Sequence, residues 1–176
     1  MKKQLLVLDL DETLVRTTDT PIFGRQPDLI WGNLYIYKRP FLTYFLIDAS
    51  RLYDIAIWSA GMEEYVLTIV EHFIPKNIKL QFIYTKQHCE NVNGIYVGKP
   101  LTKLLHLDYE NILILDDNGH LTCENDKKCI IPNKYHGDSY DYELLDVATY
   151  LSFIHDKNID HHANWKNVLP LIMDNF

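Results

Sequence analysis

Cysteine is scarce in this 176-residue chain: Cys89, Cys123 and Cys129 make an odd count, and no CxxC pair occurs. That pattern lacks the close pairing of a cysteine metal site, and it favours a reduced, intracellular setting, cytoplasmic or nuclear, over a disulfide scaffold. No apolar run approaches the length of a membrane span, and the one behind Lys2 and Lys3 breaks at Asp9, so it reads as a strand rather than a signal peptide. A GxxxxGK[ST] run is missing, which removes the P-loop NTPases. Positive charge is also short, 17 Lys and Arg against 24 Asp and Glu for a net charge of -7, so no nucleic-acid partner is expected. Glycine and proline number seven each, and no internal repeat, linker or low-complexity segment is found.

What is there is ordinary globular composition, 47% apolar and 23% charged. The length suits a single domain over 1–176, with a core at about 4–155 and a helical extension over 156–176. Lys3 to Leu8, Tyr53 to Trp58, Leu80 to Tyr84, Asn111 to Leu115 and Cys129 to Ile131 are apolar strands. Leu34 to Tyr37 is a short strand ahead of Lys38-Arg39-Pro40, and Phe41, Leu42, Phe45 and Leu46 then mark a helical face. Tyr65, Val66, Ile69, Val70 and Phe73 mark a second helix, Leu101 to Leu107 a short one, and Asp141 to His155 a third with Tyr142, Leu145, Ala148 and Leu151 inward. Thr17 to Asn33 reads as turns, and Asn91 to Val97 as a turn and short strand. The tail, with Trp165, Val168, Leu169, Leu171 and Ile172, reads as an amphipathic helix packed on the domain. Strands alternating with helices predict an α/β fold, a parallel sheet wound by right-handed crossovers.

Polar residues gather at the strand ends. The first strand runs into Asp9 and Asp11, two apart and so on one side; a later one ends at Ser59, another at Asp116 and Asp117, and Lys99 precedes that last strand. Parallel strands bring such ends to one rim, where open α/β sheets bind ligands. Two acids held together can bind a divalent cation, or divide the roles of nucleophile and proton carrier; an acidic turn after a core strand is the plain alternative. Phosphoryl transfer fits the whole set. Asp9 would attack phosphorus and Asp11 would move protons, with Mg²⁺ held by Asp9 and the Asp116/Asp117 pair, and Lys99 and Ser59 on the phosphate oxygens. A calcium loop starting at Asp9 fails, because its sixth and twelfth places are Leu14 and Thr20. Gly94 and Gly98 frame too little for a nucleotide cradle, His161-His162 reads as a solvated face, and Cys89 beside His88 lacks a supporting motif.

The ordered motifs resemble the haloacid dehalogenase superfamily, whose first motif is DxDx[TV], here Asp9 to Thr13. Within it the likeness is to the small C-terminal-domain phosphatase branch, protein phosphatases of the RNA polymerase II tail and related phosphoproteins. DLDETLV (Asp9 to Val15), Lys38-Arg39-Pro40 with Phe45-Leu46, Ile57 to Ala60, Tyr96 to Leu101, Leu113 to Asp117 and Asp141 to Leu144 carry it. The resemblance implies a Rossmann-like parallel sheet with helices on both faces. It implies Asp9 as nucleophile, Asp11 as acid/base with its backbone carbonyl toward Mg²⁺, Asp117 as direct metal ligand and Asp116 nearer Lys99. Thr13 and Arg39 enter as motif residues. Lys99 is followed by Pro100 where the branch has Asp, and Lys103 stands close enough to be a rival.

Neither Thr13 to Lys38 nor Ala60 to Gly98 has room for a large cap, and an open site suits phosphate on a polypeptide. The expected activity is Mg²⁺-dependent hydrolysis of phosphoserine, phosphothreonine or phosphotyrosine in a protein, through an aspartyl-phosphate. The alternatives are a phosphatase of a small ester or nucleic-acid end, and a non-catalytic binding module.

Overall fold

The computed structural model describes residues 4–93, 95–119, 128–157 and 165–173. In chain order the elements are β1 (Gln4–Leu8), β2 (Val15–Thr18), β3 (Leu29–Trp31), β4 (Leu34–Lys38), α1 (Leu42–Leu52), β5 (Asp54–Trp58), α2 (Glu63–Phe73) and β6 (Leu80–Tyr84). There follow β7 (Glu90–Val92), β8 (Ile95–Gly98), a 3₁₀ turn (Leu101–Leu104), β9 (Asn111–Leu115), β10 (Cys129–Ile130), α3 (Glu143–Lys157) and α4 (Trp165–Met173).

Five strands form a parallel sheet in the order β10-β9-β1-β5-β6. The chain winds outward from β1 to β6, then returns to β1's other side as β9. The order therefore reverses between β1 and β9, the place where such sheets open a crevice beyond their carboxyl ends. Alternation along the strands divides the core. Leu6, Leu8, Ile55, Ile57, Leu113 and Leu115 pack with all four described helices. Leu5, Val7, Ala56, Trp58, Ile112 and Ile114 pack instead with Leu104 and Cys89, so the 3₁₀ turn and the loop before β7 cover that face among the described residues. Burial on both faces is why these strands read as unbroken apolar runs.

Three segments differ from the reading above. Thr17 to Asn33 is not all turn: β2, β4 and β3 form a small antiparallel sheet, with Val15 opposite Lys38 and Leu29 opposite Ile36. Strands of three or four residues are too short to show a period. Phe41 lies outside α1 rather than on its apolar face; its φ of 62° puts it in a left-handed turn, where its ring stacks on Tyr142 at 5.5 Å. The third helix starts two residues later than expected, because the Asp141 carboxylate accepts the Glu143 N–H at 3.0 Å as a capping bond. Its buried face includes the expected Ala148 and Leu151, but is completed by Leu144, Val147 and Ile154, with Tyr142 exposed.

The α4 residues Trp165, Leu169 and Ile172 are buried against the core, and the Trp165 indole donates to the Ile131 carbonyl at 3.1 Å. No described helix is long and apolar enough to cross a membrane. Between the core strands the described insertions are the small sheet and the β7–β8 hairpin, and among the described residues no large cap stands over the crevice. Gly94 and His161-His162 lie outside the described residues.

Candidate active site

The ladder carries each strand end to the same edge. Past β1 the Asp9 N–H still bonds the Leu115 carbonyl at 3.0 Å; past β5, Ser59 N–H bonds Tyr84; past β9, Asp116 N–H bonds Ile130. Asp9, Ser59 and Asp116 are therefore fixed by main chain before any side-chain bond forms, and all three, like Asp117 beside them, are buried. Beyond Asp9 the chain turns sharply: Leu14 and Val15 both donate to the Leu10 carbonyl, and Glu12 adopts φ 62°. A left-handed glutamate costs roughly 1 kcal/mol or more. The Glu12 carboxylate is held in that turn by Arg16 and by Lys134, the latter at 3.0 Å.

Lys99, at the end of β8, is almost wholly buried and donates to Asp9 and, at 2.7 Å, to Asp116. Burial works against its charge, but Asp9 and Asp116 outweigh that and raise its pKa above the ordinary lysine value. Lys103, its sequence rival, instead donates to the His88 carbonyl at 3.1 Å. Burial pushes the Asp9 carboxyl up, with Lys99 pulling it back and Asp116 adding to the rise. Asp11 is also raised by burial, against the Tyr65 hydroxyl that donates to its Oδ1. The second Asp116 oxygen accepts the Asn118 N–H at 2.8 Å. Asp117 Oδ1 accepts the Thr13 hydroxyl at 2.8 Å, while Asp117 Oδ2 is buried without a hydrogen bond, its nearest cation being Lys134 at 3.3 Å.

Oxygens of Asp9, Asp116 and Asp117 lie within 4.8 Å of one another. Hard carboxylate donors, one of them a buried oxygen lacking a hydrogen bond, suit a hard divalent cation. The Asp11 carboxylate is outside that trio. A cleft of about 260 Å³ opens over the group, lined by Asp9, Asp11, Ala60, Gly61, Lys99, Asp116 and Asn118. The backbone comes close here because residue 61 is glycine: a Cβ would meet Tyr65 Cδ1 at 2.9 Å and Ser59 Oγ at 3.1 Å. Ser59 Oγ accepts the Gly61 N–H at 2.9 Å, and so sits beneath the cleft wall.

The structure thus brings together Asp9, Asp11, Lys99, Asp116 and Asp117, with Ser59 and Thr13 just behind. Arg39 is elsewhere: its guanidinium is spent on both Asp141 oxygens and on the Thr13 and Asn133 carbonyls. Cys89 is buried and its thiol pushed up by burial, which disfavours a thiolate nucleophile. Two cleft neighbours escaped the sequence reading. Tyr65 counted only as an apolar helix position, although a buried tyrosine needs a partner for its hydroxyl. Lys134 is a lone cation in the loop after β10, with no pattern around it.

Residues 4–161 match the NLI interacting factor-like phosphatase family. The chain belongs to that family. Its members are phosphoric monoester hydrolases of the haloacid dehalogenase type, which generally use a divalent metal. The chain is 26% identical over 188 residues to CTD nuclear envelope phosphatase 1B of Danio rerio, covering 94% of this chain and 76% of that protein. It is 31% identical over 156 residues to CTD small phosphatase-like protein 3 of Caenorhabditis elegans, covering 85% of this chain and 53% of that one. Among solved structures, Fcp1, an essential RNA polymerase II CTD phosphatase, matches with a TM-score of 0.61 at 15% identity, over 98% of this chain and 62% of that chain. At that identity the likeness bears on the fold alone.

Proposed function

We propose that this chain is a Mg²⁺-dependent phosphoprotein phosphatase that works through an aspartyl-phosphate on Asp9. The observation that carries the reading is the buried Asp9–Lys99–Asp116 arrangement at the foot of an uncapped cleft, with Asp11 beside it.

In the first half, an Asp9 carboxylate oxygen bonds to phosphorus and the bond to the substrate's ester oxygen breaks. Asp11 gives its proton to that oxygen; burial holds its pKa above the ordinary carboxyl value, against the Tyr65 hydroxyl that lowers it. In the second half Asp11 takes a proton from water, the water oxygen bonds to phosphorus, and the bond to Asp9 breaks to release phosphate. Lys99 holds a phosphate oxygen through the charge it shares with Asp9 and Asp116, and Ser59 is proposed as a further donor. Asp9, Asp116 and Asp117, with the Asp11 backbone carbonyl, would hold the ion. What Mg²⁺ supplies when bound is positive charge against the repulsion between an anionic nucleophile and a phosphate dianion.

The open cleft supports phosphoserine, phosphothreonine or phosphotyrosine on a polypeptide as substrate. The relatives named as nuclear envelope and small CTD phosphatases support the same class and an intracellular setting, cytoplasmic or nuclear. Hydrolysis of p-nitrophenyl phosphate with and without Mg²⁺, beside Asp9→Asn, is the test. Activity that needs Mg²⁺ and vanishes in Asp9→Asn is expected; activity in EDTA, or an unaffected variant, overturns the mechanism. A phosphopeptide array then separates serine, threonine and tyrosine.

A further inference from the structure

The acidic trio has two lysines, and they are built differently. Lys99 is buried and bonded to both Asp9 and Asp116. Lys134 serves the third acid, and its side chain is 45% exposed. Its ammonium meets three acceptors at the edge of the cleft: Glu12 Oε2 at 3.0 Å, Asn118 Oδ1 at 3.3 Å and Asp117 Oδ2 at 3.3 Å. Asp117 Oδ2 is the trio's one oxygen buried without a hydrogen bond, among the described residues. It is thus free to accept a cation's positive charge, and Lys134 is the cation that faces it.

We propose that Lys134 is a displaceable counter-ion of the metal site. In the metal-free protein its ammonium neutralises Asp117, and a divalent cation arriving at the trio takes over that carboxylate and releases the lysine toward solvent and Glu12. The inference rests on the metal-dependent reading above. An ammonium in contact distance of Asp117 and a divalent ion on the same carboxylate repel each other, so they compete. Lys134 can leave because nearly half of its side chain is already in water and its second partner, Glu12, is outside the trio. Asp117 does not move when it leaves, because Thr13 holds both its Oδ1 and its backbone N–H. Lys134 is therefore a positioning residue that sets metal affinity, distinct from Lys99, which stays.

The test is calorimetric titration of the metal-stripped full chain with MgCl₂, for wild type, Lys134→Gln, Lys134→Arg and Lys76→Gln. Lys76 is an exposed lysine whose ammonium caps the Glu71 carbonyl, so it controls for net charge. Lys134→Gln should bind Mg²⁺ about two- to fivefold more tightly, the size of one partly exposed charge contact. Lys134→Arg and Lys76→Gln should bind like wild type. In EDTA, Lys134→Gln should melt below wild type, and the gap should close at saturating Mg²⁺. Equal or weaker Mg²⁺ binding by Lys134→Gln, or a melting gap that Mg²⁺ leaves unchanged, overturns the assignment while the hydrolysis reading stands. A wild type that takes up no Mg²⁺ overturns both.

Discussion

Thr13 and Asp117 hold each other twice. The Thr13 hydroxyl donates to Asp117 Oδ1 at 2.8 Å and accepts the Asp117 backbone N–H at 3.1 Å, joining residues 104 apart. This clasp ties the turn after β1 to the turn after β9, across the point where the strand order reverses. Thr13→Val keeps the shape and removes both bonds, leaving a buried N–H without a partner. The expected cost is about 1–3 kcal/mol in urea unfolding. Mg²⁺ binding should weaken as well, since Asp117 loses its fixed orientation; unchanged affinity would show that the clasp is only structural.

Tyr65 donates its hydroxyl to Asp11, shares a 2.6 Å bond with Thr17 and packs its ring 5.8 Å from Trp31. Tyr65→Phe keeps the ring and drops the hydroxyl. Thermal unfolding should change little, whereas kcat should fall by about tenfold, part of what positioned acid–base help contributes. Steady-state kinetics on p-nitrophenyl phosphate with a melting curve on the same sample separate the two effects.

Arg39 shows the opposite pattern, a buried cation whose bonds all run to the scaffold, including 2.9 Å contacts to both Asp141 oxygens and to the Thr13 carbonyl. Lysine cannot reproduce the planar fork. Arg39→Lys should lower stability by about 3–5 kcal/mol, the cost of breaking a buried pair. Activity should disappear only as the fold does, which parallel urea curves of circular dichroism and hydrolysis would record.

Asp146, in the first turn of α3, has its carboxyl raised by burial and by the charges of Glu143 and Asp141, against Lys166. A folded pKa above the unfolded one means the folded protein holds the proton more tightly. Stability from this group is then full below the ordinary value of 3.8 and is lost as pH rises through the folded value. The helix N-terminus favours the charge, but burial and two like charges exceed it. Asp146→Asn should raise the melting temperature at pH 7 by about 1–2 °C. The gain should vanish below the ordinary carboxyl range, and a gain equally large there would overturn this account.

The parallel sheet was legible because strands buried on both faces must be apolar along their whole length; Leu80–Tyr84 and Asn111–Leu115 match their expected bounds. The convergence of Asp9, Ser59 and Asp116-Asp117 was legible too, since parallel strands can only end on one rim. The small sheet containing Leu29–Trp31 was not, because a three-residue strand takes its identity from its neighbours rather than from its own pattern. The start of α3 was missed for a related reason, although Ala148 and Leu151 are buried as expected: Asp141 is committed to Arg39 and to the capping bond, a fact settled 102 residues away.

By itself, then, the sequence determined which residue types stand at each strand end, because hydrophobic burial sets the strands and the strands set the rim. Only the tertiary structure decided how the charges pair. It added Asp9 to the expected pairing of Lys99 with Asp116, gave Lys134 to Asp117 and Tyr65 to Asp11, and sent Arg39 into the scaffold. Such pairing depends on distances of a few ångströms between segments far apart in the chain, and no local pattern encodes those.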